Sequence, residues 1–363
     1  MTQFIPGLLL CERFYHEIIH PLIATQFPQL EYSAGRLDAG SEVLGFDTPQ
    51  SMDHDWGPAN LTIFLEDADF GAYAARINEV LVSQLPHEFA GYSTDFPRDG
   101  EGISPVLEAI NQAPVSHNIS ITTVDCFFSG YVGVNPLHGL RDVDWLLIPQ
   151  QRLRTIVSGR IFHDGLQTLT PARDALHWYP DDIWRYLLAC QWQRINQEEP
   201  FMARCGDVGD ELGSRLVAAR LINELMRLCF LIERQYWPYY KWFGTAFSLL
   251  ECASVLNPIF HAVFDSRDWK KREEHLSTAY LAVARMHNAL EITDFIEPEV
   301  APFHERPYLV PHAARFVAAL HASISADTVR RLPLHTGAVA QFVDSTDILD
   351  AIEMCSRMRI MYE

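Results

Sequence analysis

The stretch that most restricts how this chain can fold is DELGSRLVAARLINELMRLCFLIERQYW, Asp210 to Trp237. Its second half is apolar almost all the way round a helical wheel, which predicts a central helix covered on every side. Other helices are at hand to cover it. DDIWRYLLACQWQRI begins just after Pro180, with Asp181 or Asp182 as a natural N-cap. Helical periodicity returns over roughly 268–292, 311–325 and 344–358.

The chain before about Tyr179 has a different texture. Residues 4–27 read as a helix, with Phe14, Ile18, Leu22 and Ile23 at helical spacing. QLEYSAGRLDAGSE reads as a short strand ending at the Gly40–Ser41 turn, and NLTIFLED, residues 60–67, as a second strand. FGAYAARINEVLVSQL is helical, with Tyr73, Ile77, Val80 and Leu81 on one face. A loop rich in Gly, Pro and Asp leads to HNISITTVDCFF, a β-prone run with one acid, Asp125. The expected class is α+β: a small α/β domain with a mixed sheet over residues 1–150, followed by an all-α helical bundle over 151–363. The join falls somewhere in 140–180, and no internal repeat is present.

Charge narrows the function. Against 28 Lys+Arg stand 47 Asp+Glu, a formal net charge of −19. That balance disfavours sequence-independent binding to a phosphate backbone, so no nucleic-acid partner is expected. The seven cysteines are scattered, form no C-x-x-C and mostly sit in apolar runs, which reads as buried reduced thiols in a cytoplasmic protein. FIPGLLLC near the N-terminus lacks a positive flank and a small-residue cleavage site, so a secretory signal is not expected. No apolar run approaches membrane-spanning length.

AGSEVLGFDTPQSMDHDWGP, Ala39 to Pro58, carries four carboxylates (Glu42, Asp47, Asp53 and Asp55) and no basic residue. Asp53 and Asp55, two residues apart, point to one face if they open a strand. Like charges that close repel, and a hard cation with oxygen ligands such as Mg2+ is the usual way to hold them. Asp125, on a neighbouring strand, is the candidate third ligand for a site holding two ions. The Gly40–Ser41 turn offers close backbone approach, exposed N–H groups and a hydroxyl, which suit a triphosphate. Such a set is equipped for attack on phosphorus between two metal ions. The plain alternative is a solvated, Asp-rich turn.

Gly40–Ser41, Gly45, Ser51 and Asp53-x-Asp55 resemble the signature of the polymerase-beta-type nucleotidyltransferase superfamily. The expected order of strand with Gly-Ser, strand with D-x-D, helix, and strand with a third Asp is similar to that superfamily's minimal fold. GSEVLGFDT, DHDWGP, YYKWFGTAF, RPY and QFVDSTDIL resemble, more closely, a family filed only as a domain of unknown function. Two departures stand out: Met52 is an extra residue before the D-x-D pair, and Ala59 stands where an Arg is expected. The resemblance implies Mg2+-dependent transfer of a nucleoside monophosphate, AMP from ATP above all, to a hydroxyl of a small-molecule acceptor. It implies that Asp53, Asp55 and Asp125 hold two Mg2+ ions, that Asp125 helps deprotonate the acceptor, and that Gly40 and Ser41 bind the leaving phosphates, with Ser51 beside them. Lys241, from its place in the helical half, is the candidate cation reaching over the pyrophosphate. A protein that retains the fold and binds nucleotide without catalysis is the alternative.

Other motifs have blander readings. HEIIH, His16 to His20, spells the zinc-protease helix motif, yet Pro21 follows at once and no third ligand has a recognisable spacing, so an amphipathic helix is expected. The aromatic run in RQYWPYYKWFGTAF, Arg234 to Phe247, either lines an acceptor pocket or packs between the halves. RCGDVGDELGSR reads as a turn and N-cap, with a phosphate contact at the helix N-terminus as the alternative. The acidic floor favours a neutral or cationic acceptor; acids at Glu224, Glu233 and Glu251 are set against Arg227, Arg234 and Lys241, which leaves the sign in the helical half open.

Overall fold

The structure, a computed structural model, describes residues 4–52, 56–96 and 114–363. Backbone contacts divide the chain into two compact units, residues 1–140 with 152–177 and residues 141–151 with 178–363. The expected single boundary at 150 is therefore replaced by three crossings. The chain leaves the first unit for a short helix and returns through the helix that follows it.

In the first unit, α1 (Gly7–Phe14) runs through a π-helical turn at Tyr15–Ile19 into α2 (His20–Gln26). The single helix expected over 4–27 is thus broken in its middle. HEIIH falls on that break. His16 and Glu17 are exposed, Glu17 pairs with Arg13 at 3.2 Å, and His20 Nδ1 lies 2.9 Å from the Tyr32 hydroxyl. Among the described residues, no group of three or more His, Cys, Asp or Glu is disposed to hold a metal ion.

Then follow β1 (Ser33–Arg36), β2 (Thr62–Leu65) and α3 (Asp67–Gln84), a two-residue hairpin of β3 (Glu88–Phe89) and β4 (Tyr92–Ser93), β5 (Ser120–Thr123) and α4 (Val124–Tyr131). The chain passes through α5 (Asp142–Leu147) in the second unit and returns along α6 (Gln150–Ser158) to β6 (Arg160–Asp164) and α7 (Leu169–Asp174). The sheet order is β5-β2-β1-β6. β1 is antiparallel to both neighbours and β2 is parallel to β5, so the sheet is mixed, as expected. Alternation along β2 sets its two faces. Ile63 and Leu65 join Phe14, Ile19, Ile77 and Leu81 in one core cluster, while the Phe64 ring meets Phe127 of α4 edge-on at 5.2 Å.

The second unit is helical, apart from a small hairpin of β7 (Ala301–Phe303) and β8 (Arg306–Val310). Its main helices are α8 (Asp181–Glu198), α9 (Phe201–Asp207), α10 (Glu211–Ile232), α11 (Tyr240–Phe247), α12 (Ala253–Asp265), α13 (Trp269–Ala289) and α14 (Ala314–Ser323). As its sequence requires, α10 is central and packs on α8, α9, α12 and α13. Trp192 of α8 stacks on Phe316 of α14 at 4.1 Å, and Trp184 Nε1 donates to the Leu231 carbonyl at 2.7 Å. No helix among the described residues is long and apolar enough to cross a membrane.

Two buried titratable groups give this unit a readable pH response. Burial raises the Glu199 carboxyl from 4.5 to about 7, against the Ala313 N–H and Arg315. Its contribution is therefore full below pH 4.5 and is lost as pH rises through 7. Burial lowers His287 from 6.5 to about 4, so its contribution is full above pH 6.5 and is lost as pH falls through 4. The two oppose each other between these limits. Glu199→Gln, which still accepts from Ala313, should gain about 3 kcal/mol over the unaltered chain at pH 8 and nothing at pH 4.5. Urea unfolding at both pH values checks this; an equal gain at both would disprove the titration.

Candidate functional site

β1 ends at Arg36, whose side chain is 5% exposed, and a guanidinium so buried must be paired. It turns under the loop that follows. Arg36 Nε and Nη2 donate to Glu42 Oε1 at 3.2 and 2.8 Å, Nη2 donates to the Ala39 carbonyl at 2.8 Å, and Nη1 donates to Asp38. Burial pushes the Glu42 carboxyl up and Arg36 pulls it back toward the ionised form. Burial alone would lower Arg36, but Asp38 and Glu42 beside it hold it above its ordinary value. The acidic stretch is thus tied in part to a cation lying three residues before it. Sequence reasoning missed Arg36 by starting the motif at Ala39; an Arg inside a β-prone run, just ahead of acids, was the available signal.

This pairing explains the first glycine. A Cβ at Gly40 would stand 2.6 Å from the Glu42 carboxyl carbon, so a larger residue would displace the carboxylate from Arg36. Leu44, Gly45 and Phe46 N–H groups close the turn onto the carbonyls of Gly40, Glu42 and Ser41. Gly45 has φ +73, a conformation that favours glycine. Among the described residues, nothing engages the Ser41 hydroxyl or the Gly40 and Ser41 N–H groups.

Asp53, His54 and Asp55 lie outside the described residues; the segments on either side of them are tied to α1. Asp47 Oδ2 accepts from Gly7 N at 2.7 Å and from Trp56 Nε1 at 2.9 Å, so Asp47 shapes the loop. Cys11 Sγ donates to the carbonyls of Gly57 and Asn60, and burial pushes its thiol up to about 12. The Ser51 hydroxyl accepts from Thr48 N at 3.0 Å, closing a capping box on the 3-10 turn Pro49–Ser51. Ala59 is fully buried, which leaves an exposed cation no place at that position. None of the seven cysteines forms a disulfide; Cys11, Cys190, Cys229 and Cys355 are buried, and Cys126 is exposed.

Asp125 is not on a strand. Thr123 Oγ1 accepts from Cys126 N and caps α4, which puts Asp125 in that helix's first turn, with Asn135 Nδ2 donating to it at 2.9 Å. A strong N-cap and a favourable site for an acid in the first helical turn end β5 at Thr123. Strand directions then separate Asp125 from Gly40–Ser41. Leu65 pairs with Thr123, so Asp125 follows the carboxyl ends of β2 and β5. β1 runs the other way, and its Gly35 lies opposite Thr62 at the start of β2. The Gly40 turn therefore leaves the opposite edge of the sheet, across strands about 10 Å long. Asp125 instead lines a shallow cavity with Glu66, Asp67, Asn135, Leu137 and Thr168.

Lys241 belongs to the helical unit, exposed on α11, with its ammonium 5.2 Å over the Trp242 ring. In the aromatic run, Tyr236 and Trp237 are buried, and Tyr236 lies against Trp178 and Tyr179, so this part of the run is core. Of the acids set against these cations, Glu224 and Glu233 are engaged within the unit. Glu224 accepts from Arg194 at 2.8 and 3.0 Å and from Gln191 at 2.6 Å, while Glu233 accepts from the N–H groups of Glu251 and Cys252. Asp210 caps α10 by accepting from Gly213 N, which fills the helix end where a phosphate contact was the alternative.

Comparison with known proteins adds little to this geometry. The family Domain of unknown function (DUF4037) matches residues 145–243, which lie outside the Gly-Ser and D-x-D region. No curated protein matches the chain. Among solved structures, a nucleotidyltransferase-like protein from Exiguobacterium sibiricum 255-15 is similar at 13% identity, covering 86% of this chain and 89% of that one, with a TM-score of 0.30.

Proposed function

We propose that this chain transfers a nucleoside monophosphate, AMP from ATP, to a hydroxyl of a small neutral or cationic acceptor. The observation that carries the reading is the Gly40–Ser41 turn. It leaves a strand antiparallel to β2, its N–H groups and hydroxyl are unengaged among the described residues, and in the sequence the D-x-D pair falls between the two strands. In the reaction the acceptor oxygen bonds to the α-phosphorus, the bond to the bridging oxygen breaks, pyrophosphate leaves, and the hydroxyl proton passes to a base. Gly40 and Ser41 would donate to the β- and γ-phosphates, where negative charge grows. Asp53 and Asp55, hard oxygen donors, would hold Mg2+, which when bound offsets that charge. Asp125, at the other end of the sheet, is left out of this set, and Lys241 belongs to the helical unit.

The direct test is thermal unfolding with Mg2+ and each nucleoside triphosphate, followed by mass spectrometry for pyrophosphate and for adducts on extract metabolites. Mg2+ with ATP should raise the melting temperature, with a stabilisation of about 2.7 kcal/mol at a hundredfold excess over Kd. ATP in excess chelator should do far less, because Arg36 is already committed to Glu42 and Asp38. Equal shifts with and without chelator would sink the proposal.

A further inference from the structure

We infer that Arg36 and Glu42 form a positioning pair for the phosphate-binding turn, an inference that rests on the nucleotidyl-transfer reading. Arg36 is the nearest cation to the turn in sequence, and the obvious role for it is direct contact with phosphate. The geometry assigns it differently. Its side chain and that of Glu42 are each 5% exposed, and four of its N–H donors go to Glu42, Asp38 and Ala39. Ala39 and Glu42 flank the Gly40–Ser41 dipeptide, and one guanidinium holds them both. The planar fork of an arginine can bind a carboxylate through two nitrogens and still reach a carbonyl. With both flanks fixed, the two intervening N–H groups have one orientation.

Glu42 completes the device by filling the space that a Cβ at position 40 would occupy. The carboxylate thus braces the turn by lying close against the Gly40 backbone. Cys11 lies beside the pair with its thiol held protonated, so it adds no charge there. The consequence runs against simple electrostatics. Glu42 is a negative charge next to a site for a polyanion, so removing it should help binding if charge alone decides. If position decides, removing it should hurt.

The test measures Kd for Mg2+–ATP by calorimetry on the full chain and its variants, with melting temperatures recorded alongside. Glu42→Gln keeps the side chain's shape and loses its charge; Arg36→Lys keeps the charge and loses the fork. Each should weaken binding about ten- to a hundredfold, roughly the worth of one misaimed hydrogen bond to a charged phosphate. The double variant should be no worse than the weaker single, because the two residues act as a unit. Tighter binding by Glu42→Gln, or a lower melting temperature with Kd unchanged, overturns the inference while leaving nucleotidyl transfer standing. If Arg36→Lys fails to fold, Glu42→Gln decides alone. Absence of Mg2+–ATP binding by the unaltered chain overturns the nucleotidyl-transfer reading, and the positioning pair with it.

Discussion

Asp53→Asn and Asp55→Asn should each remove nucleotidyl transfer by a factor of about a thousand or more while leaving the melting temperature of the ligand-free protein unchanged or slightly higher. The activity loss follows from the proposed chemistry. Metal charge at the phosphates is worth several kcal/mol in the transition state, and each 1.4 kcal/mol is about tenfold in rate. The stability effect has the opposite sign because two carboxylates two residues apart repel when no cation lies between them, and an amide relieves that repulsion. The Mg2+-dependent thermal shift should disappear together with the activity. The paired readout separates a metal ligand from a residue needed for folding. Single-turnover assays and thermal unfolding on the same preparations check it, and transfer at the unaltered rate in both variants would end the metal proposal.

The sequence disclosed large patterns well and local competitions poorly. The central place of α10 was legible because its apolar residues run all the way round its second half; the four successive positions Leu228, Cys229, Phe230 and Leu231 are all buried. The mixed sheet followed from short β-prone runs separated by a helix. Asp125 was misplaced because Thr122, Thr123 and Val124 have high strand propensity, whereas a single side-chain cap at Thr123 starts α4. Propensity is summed over a window, but a cap acts at one residue. The break at Tyr15–Ile19 was hidden because Ile18 and Ile19 are both apolar: the π-helical turn adds a residue and buries Ile19, while Ile18 keeps the spacing of an unbroken helix in the sequence. Within the site, Gly40, Ser41 and Gly45 could be read from backbone demands, which glycine announces. Arg36 could be read less directly: an arginine in a β-prone run just ahead of acids is a signal, but it does not say that the side chain turns back under its own loop.

The same blindness to buried charge recurs at Arg272, and it leads to the largest stability effect expected in the helical unit. In WKKREEH the arginine looks like one more member of a solvated charged run. Its side chain is 1% exposed. Nη1 donates to Ser214 Oγ at 2.7 Å, and Nη2 donates to Glu211 Oε2 at 3.0 Å and to the Ser266 carbonyl at 3.1 Å. One guanidinium therefore joins the first turn of α10 to the connection between α12 and α13. Arg272→Ala would strand the buried Ser214 hydroxyl, leave the Ser266 carbonyl and Glu211 to Arg215 alone, and open a cavity. Removing one partner of a buried ionic group costs about 3–5 kcal/mol. Because Glu211 is 42% exposed and water can reach its carboxylate, the lower part of that range is expected. Arg272→Met fills most of the cavity but still strands the Ser214 hydroxyl, so it should recover only part of the loss. Urea unfolding at pH 7 reads both variants, and a cost below about 1 kcal/mol for Arg272→Ala would mean that the guanidinium's desolvation cancels its bonds.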